Sequence, residues 1–313
     1  MKATRDGFGD QLAAMANIKT LVVLNADLAD ATRLKKFAAA APNRYMEIGI
    51  AEANMIGIAA GLSEYGYKVV IPSFAAFITG RYDIIRCSLA YQNKPVLVVG
   101  THAGMAIGKD GVTQMGLEDI NLMRGLPNMN IIQPATYYEA MRATEYAINS
   151  DKLIYLRLGR QPVKEMFDED CEFKFGKGQV CLEGSHITVI SSGCTLEMAH
   201  NAATKMGASL INMPTLKPID KDIIKIYART SKLIVTVEDH TIVGGLGSAV
   251  AEVLAEAYNC SSQLLRIGIQ DEFVESGPPA DLYDKYGLTA DSIVNQINRL
   301  SFSPESSNHS SLK

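Results

Sequence analysis

The chain has no tryptophan and five cysteines in 313 residues. Cys87, Cys171, Cys181, Cys194 and Cys260 form no CxxC pair, so no zinc ribbon or dithiol redox centre is indicated. They read as reduced, mostly buried thiols of a cytosolic protein. HxxxH spacing, an EF-hand loop and a GxSxG elbow are missing too, which leaves no readable metal site and no hydrolase nucleophile. An excess of either charge is also lacking. Thirty basic and 34 acidic residues leave a net charge of -4, which excludes a polycation for nucleic acid. No apolar run reaches membrane-spanning length, and the opening MKATRDGFGD is not a secretory leader. The expectation is a cytoplasmic protein without a membrane partner.

What is present is an alternation. Short runs rich in Val, Leu and Ile (Leu21–Asn25, Lys68–Ile71, Pro95–Gly100, Asn130–Gln133, Lys152–Leu156) alternate with helix-period segments. Those segments are Phe8–Ala16, Glu52–Glu64, Ala75–Tyr91, Leu117–Arg124 and Tyr137–Asn149. The pattern predicts an α/β fold, a parallel sheet with helices on both faces. Residues 161–184, with Pro162, several charges and three glycines, read as a linker. A second, smaller α/β domain follows over 185–302, with strands at Ile187–Ser191, Ser209–Asn212, Leu233–Glu238 and Ser262–Ile267. Residues 303–313, rich in Ser, read as a flexible tail.

The chemistry concentrates in the first domain, residues 1–160. Asn43–Gly61, NRYMEIGIAEANMIGIAAG, puts one carboxylate, Glu52, at the head of an apolar, small-residue helix. Burial there predicts a raised pKa and a proton held or shared near neutral pH. The plainer reading is a helix N-terminal carboxylate stabilised by the dipole. In SFAAFITGR, Phe74 and Phe77 are three apart; they suit core packing or a wall for a flat heterocycle. Thr101–Asp119, THAGMAIGKDGVTQMGLED, follows a buried strand at its expected carboxyl end, where open parallel sheets bind ligands. It offers His102, Asp110, Thr113 and Gln114 to hydroxyl groups. Arg160, in LGRQP, suits a phosphate or a linker ion pair with Glu165 or Asp168. Gly244-Gly245-Leu246-Gly247 lacks the spacing of a phosphate loop and reads as a structural helix start.

Taken together, these motifs resemble the carboxyl-terminal half of transketolase. NRYMEIGIAEANMIGIAAGL is similar to the segment whose glutamate faces the aminopyrimidine of thiamine diphosphate, and SFAAFITGRYDIIR to the segment whose aromatics hold that ring. THAGMAIGKDGVTQMGLEDINLMRGLPNMNIIQPA resembles the substrate loop with the following helix and strand. LRLGRQP resembles the phosphate-binding arginine segment, and VEDHTIVGGLGSAVAEVL the hallmark of the carboxyl-terminal domain. The resemblance implies that Glu52 hydrogen-bonds the pyrimidine N1′ as the catalytic carboxylate, by the logic of tuned acids. It implies that Phe77 stacks on the pyrimidine with Phe74 behind it, and that Asp27 lies near the cofactor at a subunit interface. Leu28 and Ile50 join them as cofactor-binding residues. His102 and Arg160 would hold the sugar phosphate, Asp110 a substrate hydroxyl, and Gln114 stands where members carry His or Gln. Ala31 falls near a position where some members place a phosphate-binding serine.

The family's Gly-Asp-Gly motif, which holds the diphosphate and Mg²⁺, is not in this chain. The resemblance therefore implies the small subunit of a split transketolase, inactive without an amino-terminal subunit and assembled as a heterotetramer. Reversible two-carbon ketol transfer between ketose and aldose phosphates is expected, with ordinary pentose phosphates or unusual, branched sugar phosphates as acceptors. The alternatives are deoxyxylulose-phosphate synthase, the beta subunit of a 2-oxoacid dehydrogenase, and a non-catalytic assembly subunit.

Overall fold

A computed structural model of the chain describes residues 1–258 and 260–301. The tail expected over 303–313 lies outside the described residues. Apolar runs too continuous to face water on either side form the strands. Every residue of Val96–Thr101, for example, is buried. The first half supplies β1 (Leu21–Asn25), β2 (Tyr45–Glu47), β3 (Lys68–Phe74), β4 (Val96–Thr101), β5 (Asn130–Ile132) and β6 (Ile154–Arg157). The second supplies β7 (Gln179–Leu182), β8 (Ile187–Ser191), β9 (Ser209–Asn212), β10 (Thr215–Lys217), β11 (Leu233–Thr241) and β12 (Gln263–Ile269). One sheet has the order β10-β5-β6-β4-β3-β1-β2, the other β12-β11-β8-β9-β7. Each is parallel except at one edge, where β10 pairs antiparallel with β5 in the first sheet and β7 with β9 in the second.

Helices α1 (Thr4–Ala14), α2 (Glu52–Glu64) and α3 (Tyr137–Asn149) belong to the first half, α4 (Leu246–Ala255) and α5 (Pro279–Lys285) to the second. The halves are not separate cores. One apolar cluster runs from Ile56 and Val98 through Leu216 to Ile234 and Val250. Another joins Phe74 and Met105 to Val235 and Leu282. A buried polar joint lies beside them. Asp119 accepts from Arg157 Nε at 2.8 Å and from the Tyr155 hydroxyl at 2.6 Å, while Arg157 donates to the Asp239 carbonyl at 2.9 Å.

Three local expectations need correction. The long helix expected over Ala75–Tyr91 is broken into Ala75–Thr79, Tyr82–Ile84 and a π-helical turn, Ile85–Ala90. The first break falls at Gly80, a poor helix former, and the apolar period continues across it. Part of the expected linker is sheet: Gln179–Leu182 is the edge strand β7, and Pro162–Val163 pairs with Lys2–Ala3. Finally, β2 and β10 were not anticipated. Each is three residues long, too short for alternation to register.

Candidate active site

The parallel strands of the first sheet end on one side, and the candidate residues gather there. Asp27 follows β1, Glu52 follows β2, Phe74 closes β3, His102 follows β4 and Arg160 follows β6. Two of them take left-handed backbone, Asp27 at φ 58° and His102 at φ 57°, a strain that persists where the surroundings enforce it.

A line of hydrogen bonds joins three strand ends. Glu52 is 6% exposed, and its Oε1 accepts from the Ser73 hydroxyl at 3.1 Å. The Ser73 carbonyl accepts from the Thr101 hydroxyl at 3.2 Å. Thr101 Oγ1 in turn lies 2.9 Å from His102 Nδ1, and His102 Nε2 lies 2.9 Å from Arg5 Nη1. Since a guanidinium only donates, Nε2 must accept, which puts the ring proton on Nδ1, facing Thr101. A neutral imidazole is what this environment favours. Burial, and then the charges of Arg5, Arg160 and Arg33, push His102 down to about 3.

The aromatics stack on this line. The Phe74 ring is 3.9 Å from that of His102 and 5.2 Å from that of Phe77, nearly parallel to both. Phe74 is buried between them and Phe77 is half-buried at the outer end. Leu28 and Ala31 pack on the same apolar cluster as Phe77. Asp110 and Arg160 meet as an ion pair at 3.1 Å, and Arg160 also donates to the Ile107 carbonyl. The linker pairing of Arg160 with Glu165 or Asp168 does not form; Glu165 accepts from Tyr138 N–H instead. Gln114 is half-buried on the same loop as Asp110.

Asp27 and Ile50 form a separate corner. Glu47 organises it, accepting from Asp27 N–H at 2.8 Å, Gly49 N–H at 3.0 Å and the Asn25 side chain. Ile50 is 84% exposed, and Ala53, Gly57 and Gly61 carry that exposure along one face of α2. The Gly-Gly-Leu-Gly turn is filled by the protein itself. Buried Glu238 accepts from Leu246 N–H at 2.7 Å and Gly247 N–H at 2.8 Å at the start of α4.

Arg5 is the residue that sequence reasoning missed. It stands in the first turn of α1, where a cation opposes the helix dipole, and that was the available signal. Its Nε is buried without a hydrogen-bond partner, and Nη1 also donates to the Ala31 carbonyl at 3.0 Å. A cavity of about 610 Å³ opens beside it, lined by Arg33, Lys109, Asp110, Arg160 and, from the second half, Pro278 and Pro279. Asp6 pairs with Arg33 and Asp110 with Arg160, while no carboxylate pairs with Arg5 among the described residues. The cavity mouth thus carries a cation in need of an anion. Among the described residues no cluster of His, Cys, Asp and Glu could hold a metal ion. Nor is any helix among them long and apolar enough to cross a membrane.

Comparison with known proteins shows the family. Residues 1–165 match the transketolase pyrimidine-binding domain and residues 176–293 the transketolase C-terminal domain. The chain belongs to the transketolase family. It is 36% identical over 297 residues to the 6-deoxy-6-sulfo-D-fructose transketolase subunit SqwH of a Clostridium species, covering 93% of this chain and 92% of that one. It is 33% identical over 299 residues to 1-deoxy-D-xylulose-5-phosphate synthase of Caldanaerobacter subterraneus, covering 93% of this chain and 48% of the synthase. Among solved structures, a split-gene transketolase described as an inactive beta4 tetramer superposes with a TM-score of 0.88 and 38% identity, covering 96% of this chain and 98% of that one. Transketolases are thiamine diphosphate enzymes, and this chain carries the half named for the pyrimidine.

Proposed function

We propose that this chain is the pyrimidine-binding subunit of a two-chain transketolase that moves a two-carbon ketol unit from a ketose phosphate to an aldose phosphate. The observation that carries the reading is the line Glu52–Ser73–Thr101–His102–Arg5, which sets a buried carboxylate, a neutral imidazole and an unpaired guanidinium along one row of strand ends. When bound, thiamine diphosphate supplies the carbanion chemistry that no side chain can. On this reading Glu52, Phe77, Leu28, Ile50 and Asp27 would be the residues of this chain that hold its pyrimidine.

Glu52 would accept a hydrogen bond from the pyrimidine and hold it in the reactive tautomer, oriented by the Ser73 hydroxyl. Phe77 would present its half-exposed face to the ring, and Phe74 would hold Phe77 and His102 in register. His102 Nε2, once Arg5 turns to an anion, would hydrogen-bond a sugar oxygen. Arg5, Arg33 and Arg160 would receive the terminal phosphate. Asp110 and Gln114 would bind sugar hydroxyls. The diphosphate and Mg²⁺ would lie on a separate amino-terminal subunit, and exposed Ile50, Ala53 and Gly57 would be covered on assembly into a heterotetramer. A cytoplasmic enzyme with pentose or branched sugar phosphates as acceptors completes the reading.

The test mixes this chain with the diphosphate-binding subunit, thiamine diphosphate, Mg²⁺, xylulose 5-phosphate and ribose 5-phosphate. Ketol transfer is expected in the mixture and in neither chain alone. Glu52→Gln should abolish turnover and leave circular dichroism unchanged. Near-normal turnover of that variant would sink the assignment.

A further inference from the structure

The second half has no residue in the reaction as described so far, yet it touches the sugar-binding loop at several points. Met105 N–H donates to Asp239 Oδ1 at 3.0 Å, and the Tyr283 hydroxyl donates to Asp239 Oδ2 at 2.8 Å. Asp239 sits in β11 and Tyr283 in α5, and both are buried. The loop is shaped around them. Gly104 has φ +83°, and a Cβ there would come 2.0 Å from Asp239 Oδ2. Gly111, at φ +84°, would place a Cβ 2.5 Å from Ser276 Oγ, just before α5. Within the loop, Gly104 N–H donates to the Gly116 carbonyl at 2.8 Å at its base, and the N–H groups of Gly111, Gln114 and Met115 make short-range bonds to the carbonyls of Gly108, Gly111 and Val112. Between base and tip, the Asp239 carboxylate is the polar anchor from the second half, Arg160 of the first half donates to the Ile107 carbonyl, and Asp110 lies on the tip.

We propose that Asp239 and Tyr283 are positioning residues of the second half that hold residues 103–116 in the shape that presents Asp110 and Gln114 to the sugar. This rests on the transketolase reading for its kinetic part and on geometry alone for its structural part. Asp239 bridges a backbone donor of the loop and a phenol of α5, so one carboxylate ties the two together. Pro278 and Pro279, at the start of the helix that bears Tyr283, also line the cavity beside Arg5 and Asp110. The second half would then set substrate affinity without touching substrate.

The experiment compares Tyr283→Phe, Asp239→Ala and Asp239→Asn in the full chain. Hydrogen exchange of the amides over 103–116 is read first. In complex with the partner subunit, KM and kcat follow for a sugar phosphate donor and for β-hydroxypyruvate, which has no hydroxyl beyond its third carbon. Losing a hydrogen bond to a charged group should speed exchange about tenfold in Tyr283→Phe, and more in Asp239→Ala. Asp239→Asn can still accept from Met105 and donate to Tyr283, so it should exchange nearly as the parent does. KM for the sugar phosphate should rise about tenfold in Tyr283→Phe, with β-hydroxypyruvate kinetics unchanged. Unaltered exchange in both Tyr283→Phe and Asp239→Ala would overturn the proposal. So would faster exchange with an unaltered KM. If the parent complex transfers no ketol unit at all, the transketolase reading fails, and exchange still decides whether the strut holds the loop. Tyr283→Phe is nearly isosteric, which keeps the test open if Asp239→Ala does not fold.

Discussion

Asp119→Asn is the substitution whose cost the structure defines best. Asp119 is fully buried, and its Oδ2 takes both Arg157 Nε at 2.8 Å and the Tyr155 hydroxyl at 2.6 Å. Arg157 is buried as well, with Nη2 donating to the Gly116 and Asp239 carbonyls, both at 2.9 Å. An asparagine keeps the shape and removes the charge, leaving a guanidinium in the interior without its counterion. Removing one partner of such a pair costs about 3–5 kcal/mol, a large share of the ~5–15 kcal/mol that holds a domain together. At roughly 2–4 °C per kcal/mol, the melting temperature should fall by about 6–20 °C. Far-UV circular dichroism on heating at neutral pH would measure it. The double variant Asp119→Leu, Arg157→Met removes both charges; the Gly116 carbonyl keeps its bond from Gly104 N–H, while the Asp239 carbonyl and the Tyr155 hydroxyl each lose a partner, at about 1–3 kcal/mol each, so it too should melt below the parent. The Arg157 charge holds the Asp119 carboxyl below its ordinary range against the opposing effect of burial. The stability from the pair is therefore complete above the unfolded carboxylate pKa and lost as pH falls through the lower, folded one. A cost under about 1 kcal/mol for Asp119→Asn would refute the reasoning.

Arg5→Gln should raise KM for phosphorylated donors about 10–100-fold, the worth of a charge-assisted hydrogen bond, and barely change it for unphosphorylated ones; equal effects on both would remove Arg5 from the phosphate site. Glu139, buried and accepting from Ala135 N–H and Asn212 Nδ2, is pushed up to about 7, chiefly by burial. Its folded pKa exceeds the ordinary 4.5, so its contribution is complete below that value and lost as pH rises through about 7. Glu139→Gln should flatten that decline, visible as a smaller difference between urea midpoints at pH 5 and pH 8. An unchanged difference would show that Glu139 does not titrate there. A Cβ at Gly57 would meet no atom within 4 Å in the chain itself, so Gly57→Leu should leave the melting temperature of the fold unchanged. Sedimentation should show a smaller assembly, and an unchanged one would place the subunit contact elsewhere.

Much of the fold was legible because its strands are buried on both faces: β1, α2 and α3 fall where the apolar runs and periods put them. The site was legible where an unusual residue type stood at a strand end. A carboxylate heading a greasy helix and a His in a Gly-rich loop are such cases, and Glu52 and His102 proved to be joined through Ser73 and Thr101. Arg5 was not found because its partner is 97 residues away, and no local pattern encodes a bond from α1 to the end of β4. The Asp239 anchor was hidden for the same reason. It lies one residue past the strand expected over Leu233–Glu238 and finds Met105 only after the halves pack. Pairing of β10 with β5 likewise depends on tertiary contact, not on propensity in a three-residue stretch.

That last strand has a consequence for synthesis. The sheet that bears the candidate site ends, on one side, in a strand contributed by Thr215–Lys217. On a nascent chain, residues 1–165 can emerge complete while β5 still has a bare edge of backbone donors and acceptors. At roughly 5–20 residues per second, about fifty further residues mean several seconds of exposure before the covering strand leaves the ribosome. Open edges of that kind recruit other chains. Producing the first half alone therefore invites edge-to-edge aggregation, and a cut in the connecting segment removes more than a tether.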